Sequence, residues 1–156
     1  MKKSVLFLLT FVPILVGYLI DHTLHLPVIG WILYLVLPLL VTVFWFFLGR
    51  MYARSSWSAP AALLIGNGTG LVSLGVFLWQ MLLETDETRN LALTVASQMF
   101  PVAVPTYLFG RLPTLFETQP NFAGLRTHIA IHVIGTLFMV LVFALGYGLG
   151  RRSRFR

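Results

Sequence analysis

The chain has 156 residues, of which 58% are hydrophobic and only 10% are charged. A soluble domain carries roughly 25% charged residues, so a soluble core of this size could not bury so much apolar surface. The mean hydropathy of +0.87 therefore indicates lipid as the solvent for much of the chain. Because there are no cysteines, the sequence excludes disulfides, thiolate nucleophiles and cysteine-ligated metal clusters.

The net charge of +6 is also compatible with nucleic-acid binding. The basic residues, however, stand beside apolar segments, which is the pattern that membrane topology produces. We therefore predict the lipid bilayer, and no nucleic acid, as a partner. The predicted fold class is all-α: a polytopic integral membrane protein in one domain, residues 1–156.

Four apolar runs are long enough to cross a membrane, at about 4–20, 28–49, 60–83 and 129–150. Each must be helical, because a lone strand would leave its backbone unpaired in lipid. The first run resembles a signal peptide, since MKK precedes it. No small-residue cleavage site follows it, because the next residues are DHTLHLP, and we therefore predict a retained span.

The uncharged segment LALTVASQMFPVAVPTYLFG, residues 91–110, is harder to assign. Its polar residues Thr94, Ser97 and Gln98 fall at helical spacing, and Pro101 and Pro105 interrupt a continuous helix. This pattern predicts a short amphipathic or re-entrant helix within an outer loop, residues 84–127. A fifth, proline-kinked span is the alternative.

The positive-inside rule favours four spans over five. With four spans, eight basic residues share the side of both termini: Lys2, Lys3, Arg50, Arg54, Arg151, Arg152, Arg154 and Arg156. Three remain on the other side: Arg89, Arg111 and Arg126. Five spans would divide them almost evenly. We therefore predict a multi-pass protein of a bacterial inner or plasma membrane, with both termini cytoplasmic.

In this topology all the acidic residues and all four histidines lie on the outer side. His128 and His132 are four residues apart and share a helix face, a spacing that can bind one divalent metal such as zinc. His22, His25 and Asp21 could complete its ligands. The alternatives are anchoring of these amphipathic rings at the membrane interface and a bis-histidine haem. No cofactor is otherwise predicted.

The third span contains GNGTG, residues 66–70. Gly66 and Gly70 form a pair that allows two helix backbones to approach closely, and Asn67 needs a partner in hydrocarbon. With Thr69, they predict a helix-packing motif. A broken helix that binds a substrate is the alternative.

The span centres contain no charged residue or histidine, which argues against an ion-coupled pump or an intramembrane protease. No catalytic constellation is evident, so we expect a protein that is not an enzyme. We predict a non-catalytic accessory or regulatory subunit that binds a larger membrane complex. The alternatives are a homo-oligomeric transporter or channel, joined through Gly66 and Gly70, and an outer-face metal-dependent enzyme that uses the histidines.

Overall fold

The computed structural model describes residues 2–109, 115 and 124–153, and this part of the chain is helical without a strand. Its main helices are α1 (Lys3–Leu9), α2 (Val12–Thr23), α3 (Ile29–Ala53), α4 (Ala59–Gly66), α5 (Gly68–Leu82), α6 (Leu91–Val102) and α7 (Leu125–Arg152). A 3₁₀ turn, Thr106–Phe109, follows α6. The predicted all-α class is thus confirmed.

Three candidate membrane spans are long and apolar enough in the described residues: Lys3–Thr23, Ile29–Ala53 and Leu125–Arg152. A fourth is present if α4 and α5, which are bent by 54° at Asn67, count as one span. These apolar helices are consistent with a helical membrane protein.

The first candidate span is interrupted between α1 and α2. Pro13 stands in the first turn of α2 and has no N–H to donate to the carbonyl of Leu9, so the helical ladder breaks there. Thr10, at the break, is fully buried, and its hydroxyl donates to the Phe7 carbonyl at 2.7 Å. Pro38, by contrast, lies inside an uninterrupted α3.

Helices α3 and α7 form the most extensive helix pair, and glycines bring their backbones together. A Cβ on Gly49 would overlap the Phe143 carbonyl, and one on Gly146 would overlap the Phe46 carbonyl. Small residues allow this approach in lipid, where dispersion contacts and not water exclusion hold helices together. Beside this seam lie the fully buried aromatic side chains Trp45, Tyr52 and Phe143.

Helix α6 runs antiparallel to α5, because the residue pairs that they share reverse in order. Its first turn meets Gln80, whose side-chain oxygen accepts from the Asn90 N–H at 2.7 Å. Farther along, the Ser73 hydroxyl donates to the Ser97 carbonyl. Near its end the Phe100 ring lies against Gly70. On its other side α6 packs against α2, where a Cβ on Gly17 would overlap the Met99 carbonyl.

Helix α6 turns polar side chains inward and apolar side chains outward, which is the reverse of a helix on the surface of a soluble protein. Thr94 and Ser97, part of the polar stripe found in the sequence, are buried, whereas Leu91 and Val95 are exposed. The buried hydroxyls bond within the helix, Thr94 to the Asn90 carbonyl at 3.0 Å and Ser97 to the Thr94 carbonyl at 2.7 Å. An apolar outer face and a satisfied polar inner face suit lipid better than water.

The bundle has two chemically different ends. At the histidine end, defined by His22, His128 and His132, α2 ends and α3 and α7 begin. At the arginine end, defined by Arg50, Arg54 and Arg151, α3 ends, α4 begins and α7 ends. There Lys3 lies over the Trp57 ring, with its Nζ 5.6 Å from the ring centroid.

Candidate functional site

The break between α4 and α5 lies at Asn67, inside the GNGTG motif. The buried Trp45 Nε1–H donates to Asn67 Oδ1 at 3.2 Å, and Asn67 Nδ2 donates to the Leu63 carbonyl at 2.9 Å. Thr69 Oγ1 donates to the Thr10 carbonyl at 2.8 Å, which joins the break in α4–α5 to the break in α1–α2. The polar side chains of the motif are thus hydrogen-bonded within the chain.

The two glycines of the motif that were predicted to pack helices face aromatic rings. A Cβ on Gly66 would overlap the ring of Phe143, and one on Gly70 would lie 2.6 Å from Cζ of Phe100. Both rings also contact Trp45, at centroid distances of 5.9 Å. Sequence reasoning missed these three aromatic residues, because nothing in their spacing indicates that they converge.

Two other glycines of α5 have open surroundings. A Cβ on Gly68 or Gly75 would meet nothing within 4 Å. Gly68 borders an apolar groove of about 430 Å³ between α1–α2, α5 and α6. We call it the α5 groove; its lining includes Phe11, Gly68, Thr69, Val72, Ser73 and Ser97.

The α5 groove is apolar although three hydroxyl-bearing residues line it. The hydroxyls of Thr69 and Ser73 donate to carbonyls of α1–α2 and α6, and that of Ser97 bonds within α6. These bonds satisfy the hydroxyl donors, so the groove presents mainly carbon to its surroundings. None of the described residues that line it is charged.

The five residues predicted to bind a metal do not form one cluster. Asp21, His22 and His25 are exposed, and His22 Nδ1 lies 4.0 Å from Asp21 Oδ2. The His22 ring lies against Tyr18, with a centroid distance of 4.0 Å. In the part of the chain that the structure describes, no group of three or more His, Cys, Asp or Glu residues could hold a metal ion. The metal site stays a prediction.

His128 and His132, which their spacing predicts to share a helix face, both line one cavity. This space of about 220 Å³, the histidine cavity, lies between α3, α5, α6 and α7; its lining includes Tyr34, Phe77, Gln98, Thr106, His128 and His132. His128 is exposed, and its Nδ1 lies 3.0 Å from the Gly124 carbonyl. His132 is 2% exposed and stacks on Phe77 with a centroid distance of 4.3 Å.

One atom of the histidine cavity lacks a partner. His132 Nε2 is buried and makes no hydrogen bond, whereas buried imidazole nitrogens in proteins are normally paired. The lining residues that the structure describes include no carboxylate and no Lys or Arg side chain. The segments 110–114 and 116–123, which include part of the predicted outer loop, lie outside the described residues.

Comparisons with family models, with curated proteins and with solved structures find no match for this chain.

Proposed function

We propose that the protein is a non-catalytic membrane subunit that holds an apolar helix of another membrane protein in the α5 groove. The observation that carries this proposal is the open small-residue face of α5. Gly68, Val72 and Gly75 recur at helical spacing, both glycines have room above them, and Val72 is 66% exposed. Small residues in this arrangement allow a neighbouring helix to approach closely in lipid.

The uncharged lining of the groove supports an apolar occupant. Its hydroxyl donors are already bonded within the chain, so a partner segment needs no complementary polar groups to enter. A helix that inserts aliphatic side chains between Phe11 and Leu93 would replace lipid contacts with closer protein contacts. Such a partner segment would itself span the membrane, because only an apolar helix satisfies its own backbone there.

The topology that we propose has four spans, with α4 and α5 as one bent span and α6 as a re-entrant helix. Two relationships support it: α6 starts beside the end of α5 and reaches the buried Trp45–Phe100 contact, and α7 begins back at the histidine end. By the positive-inside rule, the excess of basic residues supports a cytoplasmic location for the arginine end, and we propose that the membrane is a bacterial cell membrane.

A homo-oligomeric transporter is the second candidate, and the bend at Asn67 is what favours it, since broken helices line transporter sites. Gly66 and Gly70 are covered by Phe143 and Phe100, so a second copy would have to dock elsewhere, at the α5 groove. An enzyme that uses the histidines would require ligands beyond His128 and His132.

Photo-crosslinking tests the proposed function. A diazirine amino acid at Val72 would face the groove, and the same residue at Leu141 on α7 is the matched control, because that side chain is 63% exposed. In native membranes we expect a discrete adduct with one other membrane protein from position 72 and none from position 141. An adduct of twice the chain mass would favour the homo-oligomer, and lipid adducts alone at both positions would reject partner binding.

Glycine substitutions supply an independent test. Gly68→Leu and Gly75→Leu add bulk to the open face of α5, where a Cβ meets nothing within 4 Å, and Gly148→Leu on α7, where a Cβ is equally open, is the control. We expect the first two to abolish the adduct at position 72 and the control to retain it. If all three variants retained it, the partner would bind elsewhere.

Cysteine labelling tests the topology, since the chain contains no cysteine. His25→Cys, at the histidine end, should react with an impermeant maleimide in intact cells. Ser153→Cys, at the arginine end, should react only after the cells are opened. The opposite result would reverse the proposed orientation.

A further inference from the structure

We propose that the histidine cavity binds a small uncharged aromatic molecule whose hydroxyl or carbonyl group hydrogen-bonds to His132. This site is separate from the α5 groove, with which it shares no lining residue. The test of this proposal is therefore independent of the test of the proposed function.

The unpaired nitrogen of His132 is the polar feature that the proposed ligand would satisfy. His132 lines the cavity, is 2% exposed, and its Nε2 has no hydrogen-bond partner. An imidazole nitrogen that is removed from water and left unpaired destabilises the folded state, and a ligand that pairs with it removes this cost. The ligand must therefore carry at least one polar atom that reaches Nε2.

The walls of the cavity select for an aromatic ring. Tyr34 and Phe77 supply ring surfaces, and Leu24, Val102 and Ile131 supply aliphatic ones. An apolar pocket with a few convergent polar groups is the usual form of a small-molecule site. Gln98 of α6 and Thr106 of the 3₁₀ turn also line the cavity, and their side chains could hydrogen-bond a second polar group of the ligand.

The cavity disfavours an ion. Among the described residues that line it there is no acidic side chain and no Lys or Arg, so an ion that gave up its hydration there would gain no counter-charge from them. A zinc ion held only by His128 and His132 would lack the carboxylate that the sequence suggested, because Asp21 is exposed and is not part of the lining. The geometry thus favours a neutral ligand over the metal.

Phenol and toluene are suitable probes, because they have the same shape and differ in the hydroxyl group. We would label the protein with ¹⁵N-histidine in lipid nanodiscs and follow the ring-nitrogen resonances of its four histidines. Phenol should produce a saturable shift of the His132 resonances, with an affinity about fivefold higher than that of toluene, the contribution of one hydrogen bond.

Two variants assign the effect. His132→Phe keeps a ring against Phe77 and removes the nitrogen, so phenol should lose its advantage over toluene. His22→Phe removes a histidine outside the cavity and should leave phenol binding unchanged. Helix content by circular dichroism and the melting curve verify that both variants fold.

Three results would overturn the proposal. These are the absence of any saturable effect of phenol on the wild-type protein, equal affinities for phenol and toluene, and unchanged phenol binding in a folded His132→Phe variant. A zinc titration completes the test: stoichiometric shifts of both His128 and His132 with zinc, and none with phenol, would assign the cavity to a metal.

Discussion

The indole N–H of Trp45 donates to the side-chain oxygen of Asn67 at 3.2 Å, and both residues are buried. This bond joins α3 to the point at which α4 and α5 meet. The Asn67 amide also donates to Leu63 in the last turn of α4. A single asparagine therefore both terminates one helix and fixes the bend to the neighbouring span.

We expect Trp45→Phe and Asn67→Leu to lower the free energy of unfolding, with a coupling between them of about 1 kcal/mol, typical of an interhelical hydrogen bond in a membrane protein. Unfolding in mixed detergent micelles measures it. Trp79→Phe is the control, because Trp79 donates to the exposed Glu84 at 2.9 Å and should matter little. Full additivity of the Trp45 and Asn67 changes would mean that the bond contributes nothing.

The contact between α2 and α6 at Gly17 should tolerate no side chain. A Cβ there overlaps the Met99 carbonyl, which is backbone and cannot rotate away. Gly17→Ala should therefore destabilise the protein by about 2 kcal/mol, as overpacking does. Gly75→Ala, where the Cβ meets nothing within 4 Å, should instead stabilise by about 0.5–1 kcal/mol through helix propensity. Equal melting temperatures of the two variants would contradict this packing.

The Phe100 ring and Gly70 should behave as a size-matched pair. Gly70→Ala pushes against the ring and Phe100→Leu leaves space, so each alone should cost about 1–3 kcal/mol. Combined, they should cost clearly less than the sum, because the smaller side chain makes room for the added methyl. A cost of the double variant equal to the sum of the single costs would mean that the two residues do not pack against each other.

The inverted orientation of α6 predicts a pattern of spin-label accessibility. A nitroxide at Val95, which is 53% exposed, should collide freely with oxygen dissolved in lipid. At Ser97, which is 4% exposed, it should be shielded from both oxygen and a water-soluble nickel complex. Strong relaxation of the Ser97 label by nickel would mean that the polar stripe of α6 faces water at the membrane surface.

Val28 occupies a strained turn between α2 and α3. Its φ of 65° and ψ of −59° describe a tight γ-turn, closed by the Ile29 N–H to the Pro27 carbonyl at 2.7 Å. This conformation is unfavourable for a β-branched residue, so Val28→Gly should stabilise the protein by about 1 kcal/mol. Val36→Gly, inside α3, should destabilise by a similar amount. Loss of stability in both variants would show that the backbone at Val28 is not strained.

The sequence alone determined the helical class, the approximate positions of the apolar runs and the place of His128 and His132 on one helix. These features depend on local quantities: hydropathy summed over a run, and the four-residue period of a helix. The break of the third run at Asn67 was raised as an alternative for the same reason, because glycine and asparagine weaken a helix locally.

Tertiary structure alone decided which surfaces are used. The sequence predicts that Gly66 and Gly70 pack against another helix, but it does not say which one. Phe143 and Phe100, distant in sequence, cover these two glycines, whereas Gly68 and Gly75 are the open glycines of α5. The polar stripe of α6 likewise faces inward. The buried Thr94 and Ser97 hydroxyls donate to carbonyls of α6 and its N-cap, and the Ser97 carbonyl accepts from Ser73 of α5, so these groups need no partner in lipid. The spacing of residues along a helix shows which side chains share a face. Which neighbouring helix that face contacts depends on how the whole chain folds.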